Sequence, residues 1–131
     1  MPYPPLVQEH FDRPCHAGTP PGDGRLYRGE AGSPAQGAQV RIEMRAGGGH
    51  IEAIGFHAWG CPWTIAACSL AVSRLQRAPV AALGHFAPQA LAEELGLPVE
   101  RLGRLLILGD ALRNCLADWD TTQPAGNSPS G

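Results

Sequence analysis

At Gly60 the hydrophobic pattern of this chain changes period, and that switch restricts the fold more than any other feature of the sequence. Up to Trp59 the apolar residues recur at every second position. Val40, Ile42 and Met44 alternate with Arg41, Glu43 and Arg45; "AGGGH" intervenes; "IEAIGFHAW" then puts Ile54, Phe56 and Ala58 on one face. Successive side chains leave a strand on opposite sides, so alternation of this kind predicts half-buried strands. Two such stretches around a glycine turn predict a β-hairpin. From Pro62 onward Ile65, Cys68, Val72 and Leu75 fall at offsets of three and four, one stripe of an amphipathic helix. Pro62 suits the first helical turn, where its missing N–H costs nothing.

Other segments fit around this unit. "PLVQEHF" (5–11) predicts a short helix stopped by Pro14. "AGTPPGDGRLYRGEAGSPAQG" (17–37) has too many breakers for a helix and room for a strand around Leu26–Arg28. Ala87–Leu95 predicts a second helix ending at Gly96. Glu100–Trp119 predicts the longest one. Leu102, Leu105, Leu108, Leu112, Cys115, Leu116 and Trp119 line one side, while Arg101, Arg104, Asp110, Arg113 and Asp118 take up much of the rest. Strands followed by helices imply an α+β fold with helices packed on one face of a small antiparallel sheet. Residues 1–120 are expected to form one domain, and "TTQPAGNSPSG" (121–131) a disordered tail.

Composition narrows the function classes. A chain of 131 residues with 44% hydrophobic content can bury one core. A formal net charge of −2 gives no electrostatic case for nucleic acid or an anionic membrane. All ten cationic side chains are arginine, which excludes lysine-based chemistry and fits a GC-rich coding genome. No secretory signal or membrane-spanning run is visible, so a cytoplasmic location is expected. The four cysteines, Cys15, Cys61, Cys68 and Cys115, form no CxxC pair and are expected as free thiols in a reducing compartment.

Of these, Cys61 stands at the start of a helix. Free N–H groups and the positive end of the helix dipole favour a thiolate there. The position suits a nucleophile, a sulfur carrier or a metal ligand, and also a small buried apolar residue. Cys68 and Cys115 fall on apolar helix stripes and read as core residues; Cys15 lies in a loop and is unassigned. His57 precedes Cys61 by four positions but alternates with Phe56 and Ala58, which turns it to solvent. His50 is a turn residue, and His10, His16 and His85 have no convergent partners in sequence. No second acid or base pairs with Cys61, so an enzyme with its own turnover is not expected.

The segments "HFDRPCHAG" (10–18), "FHAWGC" (56–61), "LAEELGLP" (91–98) and "LILGDAL" (106–112) resemble, in order and spacing, the IscU/NifU N-terminal type of iron–sulfur cluster assembly scaffold. The resemblance spans Tyr3 to Asp118. It implies a three-stranded antiparallel sheet with helices on one face, a cluster site at one end, and a cysteine desulfurase or other assembly proteins as partners. The ligand positions depart from the family pattern. Where the family has A-C-G-D this chain has "AQGA", with Gln36 for the cysteine and Ala38 for the aspartate. Cys61 matches the second ligand. The family's His-Cys pair falls on Gly103 and Arg104. Clusters are held by thiolates, and zinc by about four N, S or carboxylate ligands. An iron–sulfur cluster or zinc at Cys61 therefore needs ligands from elsewhere, such as a second copy of the chain. The resemblance also leaves a second function open: a cluster-free protein that docks on a desulfurase and relays persulfide through Cys61. "LPVER" (97–101) replaces three residues of the family's chaperone-recognition motif, keeping Leu97 and Pro98, and reads as a helix entry turn rather than a chaperone site.

Overall fold

In the computed structural model, which describes residues 4–14 and 16–122, the order is α1 (Pro5–Asp12), β1 (Tyr27–Ser33), β2 (Ala38–Gly47), β3 (His50–Trp59), α2 (Pro62–Leu75), α3 (Pro88–Leu95) and α4 (Leu102–Thr121). Short 3-10 helices occupy Pro34–Gln36, Val80–His85 and Val99–Arg101. The strands form one antiparallel sheet ordered β1-β2-β3. The expected hairpin is β2–β3, turned by Gly48 and Gly49 in the left-handed region. Its register sets Ile42 opposite Phe56 and Met44 opposite Ile54, and all four side chains are buried against α2 and α4. The architecture is thus the α+β arrangement of a three-stranded sheet with helices packed on it.

The strand expected at Leu26–Arg28 is β1, and it runs further than its glycines suggest. Gly29 lies where α4 crosses the sheet: a Cβ there would stand 2.1 Å from the Cys115 nitrogen and 2.2 Å from the Ala111 oxygen. The glycine marks a close approach of two backbones, not a strand end. For α2 the single expected stripe is too narrow. The helix is buried almost all round from Trp63 to Val72, because α1 packs on the side that sheet and α4 leave open. His10, partnerless in sequence, is buried between these helices with Nδ1 2.7 Å from the Ser69 hydroxyl.

Helix α4 starts at Leu102, after a 3-10 turn that takes up the expected Glu100 start. Leu105, Leu108, Leu112 and Cys115 are buried as the stripe requires, and Ile107 and Ala111 widen it. The helix extends to Thr121; residues 123–131 of the expected tail lie outside the described residues.

Both sheet edges are closed by groups other than strands. On β1, the Arg28 N–H donates to Asp118 Oδ2 (2.8 Å) and Asn114 Nδ2 donates to the Glu30 carbonyl (2.8 Å), both from α4. On β3, the Gln76 amide imitates a strand: its Nε2 donates to the Ile54 carbonyl (2.7 Å) and its Oε1 accepts from the Ile54 N–H (3.3 Å). Residues 16–18 pair with Phe56 one step further on. Such capping removes the open hydrogen-bonding rows that make edge strands prone to association.

The segment that leaves Phe56 crosses the outer face of the sheet, where Glu43 is only 2% exposed. Its carboxylate accepts from Thr19 Oγ1 (2.6 Å) and Arg28 Nε (2.9 Å), with His57 Nε2 2.9 Å away. His57, expected in solvent, is thus tied to a buried acid. Burial raises the Glu43 pKa, but hydrogen bonds from Thr19, His57 and Arg28 outweigh it and hold the carboxyl below its ordinary value.

Candidate functional site

Where the sheet ends and α2 begins, the chain turns through Gly60, whose φ of 155° and crowded surroundings admit no side chain. A Cβ there would meet Thr64 Oγ1 at 2.9 Å. This turn sets Cys61 at the N-cap of α2, with Pro62 in the first turn. Thr64, one helical turn on, brings its hydroxyl to 3.7 Å from the Cys61 sulfur. The thiol is half-buried.

Arg104 comes to the same place from another element. It projects from the first turn of α4 toward the loop between β1 and β2, so closely that a Cβ on Gly37 would stand 3.0 Å from Nη2. Gly37, with a φ of 85°, ends the 3-10 turn Pro34–Gln36. The Arg104 guanidinium also acts on the Cys61 sulfur, favouring its thiolate. Its Nε is buried and has no hydrogen-bond partner among the described residues. Three separate segments, the 34–38 loop, the start of α2 and the start of α4, are joined by this one cation.

Its effect on the thiol is a balance. Burial raises the Cys61 pKa; the Thr64 N–H, the Thr64 hydroxyl, the Trp63 N–H and the Arg104 guanidinium together outweigh burial and bring it below the ordinary thiol value. The two core cysteines go the other way. Burial raises Cys68 strongly, and burial with the charges of Asp118 and Glu43 pushes Cys115 up to about 12. Cys15 lies outside the described residues.

Among the other sequence-predicted site residues, Gln36 is exposed and its Oε1 accepts from the Ser33 hydroxyl (3.2 Å). Ala38 is fully buried in the core. Gly103 is exposed, with open space where a side chain would be. Gly37, the glycine that "AQGA" keeps from the family pattern, belongs to the site, as does Thr64, which was not singled out from sequence; the Cys-x-x-Thr spacing across an N-cap is its signal. Trp59, 55% exposed, adjoins the site two residues before Cys61. The cavity between α2, the 80–85 turn and α3, lined by Ala71, Leu75, Phe86 and Leu91, contains none of these residues.

This donor set does not fit an iron–sulfur cluster or a zinc ion held by one chain. Among the described residues no group of three or more His, Cys, Asp or Glu side chains could hold a metal. A permanent cation, Arg104, acts on the half-buried Cys61 thiol where further ligands would have to stand.

Comparison with known proteins agrees with the fold. The family model described as the NifU-like N-terminal domain matches residues 2–125. The chain is 27% identical over 125 residues to the iron–sulfur cluster assembly scaffold protein IscU of Haemophilus influenzae, covering 94% of this chain and 99% of that one. It is 25% identical over 127 residues to the mitochondrial iron sulfur cluster assembly protein 1 of Yarrowia lipolytica, covering 95% and 70%. Among solved structures, a NifU-like N-terminal protein from Brucella abortus superposes with a TM-score of 0.71 at 14% identity, covering 91% of this chain and 94% of that one. A scaffold protein for the SUF system from Fervidobacterium islandicum gives 0.64 at 12%, covering 87% and 96%. The chain belongs to the NifU-like N-terminal domain family, that of the iron–sulfur cluster assembly scaffolds.

Proposed function

We propose that this chain serves iron–sulfur cluster assembly as a scaffold-family protein that acts through Cys61 and holds no cluster by itself. The observation that carries this reading is Arg104, a cation lodged against the one thiolate of the site, where further ligands would be needed. A cluster at Cys61 is then shared, with the remaining ligands supplied by a second copy or by a partner protein. The reading carries with it a cytoplasmic location, a cysteine desulfurase as partner and no turnover of its own. Its test is iron and sulfide analysis of anaerobically purified protein beside a Cys61→Ser variant, with chain mass measured in parallel. Monomer free of iron and sulfide is the expected result, and any cluster is expected only in a larger species and only with Cys61 present. A cluster in the monomer, or one that survives Cys61→Ser, overturns it.

One observation favours a second reading, a persulfide relay: the Thr64 and Trp63 N–H groups, the Thr64 hydroxyl and the Arg104 guanidinium all favour the anionic form of the Cys61 sulfur. In that relay the Cys61 thiolate attacks the terminal sulfur of a desulfurase persulfide. The donor's S–S bond breaks, its cysteine leaves as a thiolate, and Cys61 carries the new persulfide as an anion, with no outside oxidant. Mass spectrometry after mixing with a purified cysteine desulfurase and free cysteine reads the added 32 Da (roughly one sulfur) on the Cys61 peptide. Its absence removes the relay.

A further inference from the structure

We infer that Arg104 is the specificity-determining residue of the Cys61 site and makes it a receptor for an anion, so that the species delivered to the sulfur arrives negatively charged. This rests on the reading of Cys61 as the working group and adds what that group can accept.

The described groups that act on the Cys61 sulfur favour its thiolate by donating to it. The N–H groups of Trp63 and Thr64 come from the first turn of α2, the hydroxyl from Thr64, and the guanidinium from α4. No carboxylate of the described residues is among them, and in the 34–38 loop Gln36 Oε1 accepts from the Ser33 hydroxyl. A guanidinium presents five donors and cannot shed its charge at any working pH. That of Arg104 lies against Gly37 and acts on the Cys61 sulfur, which sets a fixed positive charge where an incoming group would arrive. Gly37 leaves the guanidinium its room: a Cβ there would stand 3.0 Å from Nη2 and press on it.

The experiment compares two alkylating reagents that share a reacting carbon and leaving group, anionic iodoacetate and neutral iodoacetamide. Both attack the same thiolate, so their rate ratio cancels the thiolate fraction and reports only how the site receives charge. The ratio is read on the Cys61 peptide by mass spectrometry, at low ionic strength, for the full chain. In the folded protein it is expected to exceed that of the urea-unfolded chain about fivefold, and to shrink in high salt. Arg104→Ala is expected to bring it down to the unfolded value, and Arg104→Lys to keep most of it. A folded ratio equal to the unfolded one, a ratio indifferent to Arg104→Ala, or a Cys61 that neither reagent modifies overturns the inference. Those outcomes leave the scaffold reading intact, which fails instead on the cluster measurement.

Discussion

Glu43 shows what a single residue contributes outside the site. Its carboxylate ties β2 to Arg28 of β1, to His57 of β3 and to Thr19 of the crossing segment. Glu43→Gln keeps the shape and removes the charge, and is expected to cost about 2 kcal/mol in urea unfolding. The pH dependence has a defined sign. The folded carboxyl lies below its ordinary value of 4.5, so its contribution is present above that pH and is lost as pH falls through the folded value. Wild-type stability is expected to decline in that acid range more steeply than that of Glu43→Gln. A second expectation concerns the thiols: in native buffer Cys61 is alkylated while Cys68 and Cys115 stay unmodified until the chain unfolds, as peptide mapping would reveal. Cys61 was legible because glycine before it and proline after it announce a helix start. Glu43 was not. Alternation assigns it to the outer face, and nothing periodic in residues 16–24 says that this segment covers that face.

At the level of elements, the contacts between backbones are the most sensitive. Gly29→Ala drives a methyl group into the backbone of α4 and is expected to cost about 3 kcal/mol or more, or to abolish folding. Gly103→Ala, at an open helical position with no positive φ, is expected to stabilise by about 0.5–1 kcal/mol. Paired thermal melts of the two variants test both directions. Gln76→Ala leaves the Ile54 N–H and carbonyl without their cap on β3, for an expected loss of about 2 kcal/mol in the same assay. The hairpin and the helices could be read from period alone. The extent of β1 could not, because its glycines look like breakers until α4 is seen lying across them. The near-complete burial of α2 was hidden for a related reason: α1 is too short for its packing partner to be read from its own pattern.

Over the whole molecule, α4 joins the two ends of the fold. Its first turn delivers Arg104 to Cys61, and its last turns clamp β1 through Asn114 and Asp118. From Arg104 to Asp118 the rod spans roughly 20 Å at 1.5 Å per residue. The architecture followed from the sequence pattern together with the resemblance; the meeting of Arg104 with Gly37 required the folded chain, since the residues lie far apart in sequence and neither belongs to a motif with the other. Because the sulfur's counter-ion comes from a distant helix rather than from its own, the charge preference of Cys61 is a built-in gauge of assembly. Followed through a urea titration, the iodoacetate-to-iodoacetamide ratio is expected to collapse once α4 leaves the sheet. One thiol would then read, without any added label, whether the far side of the protein is closed.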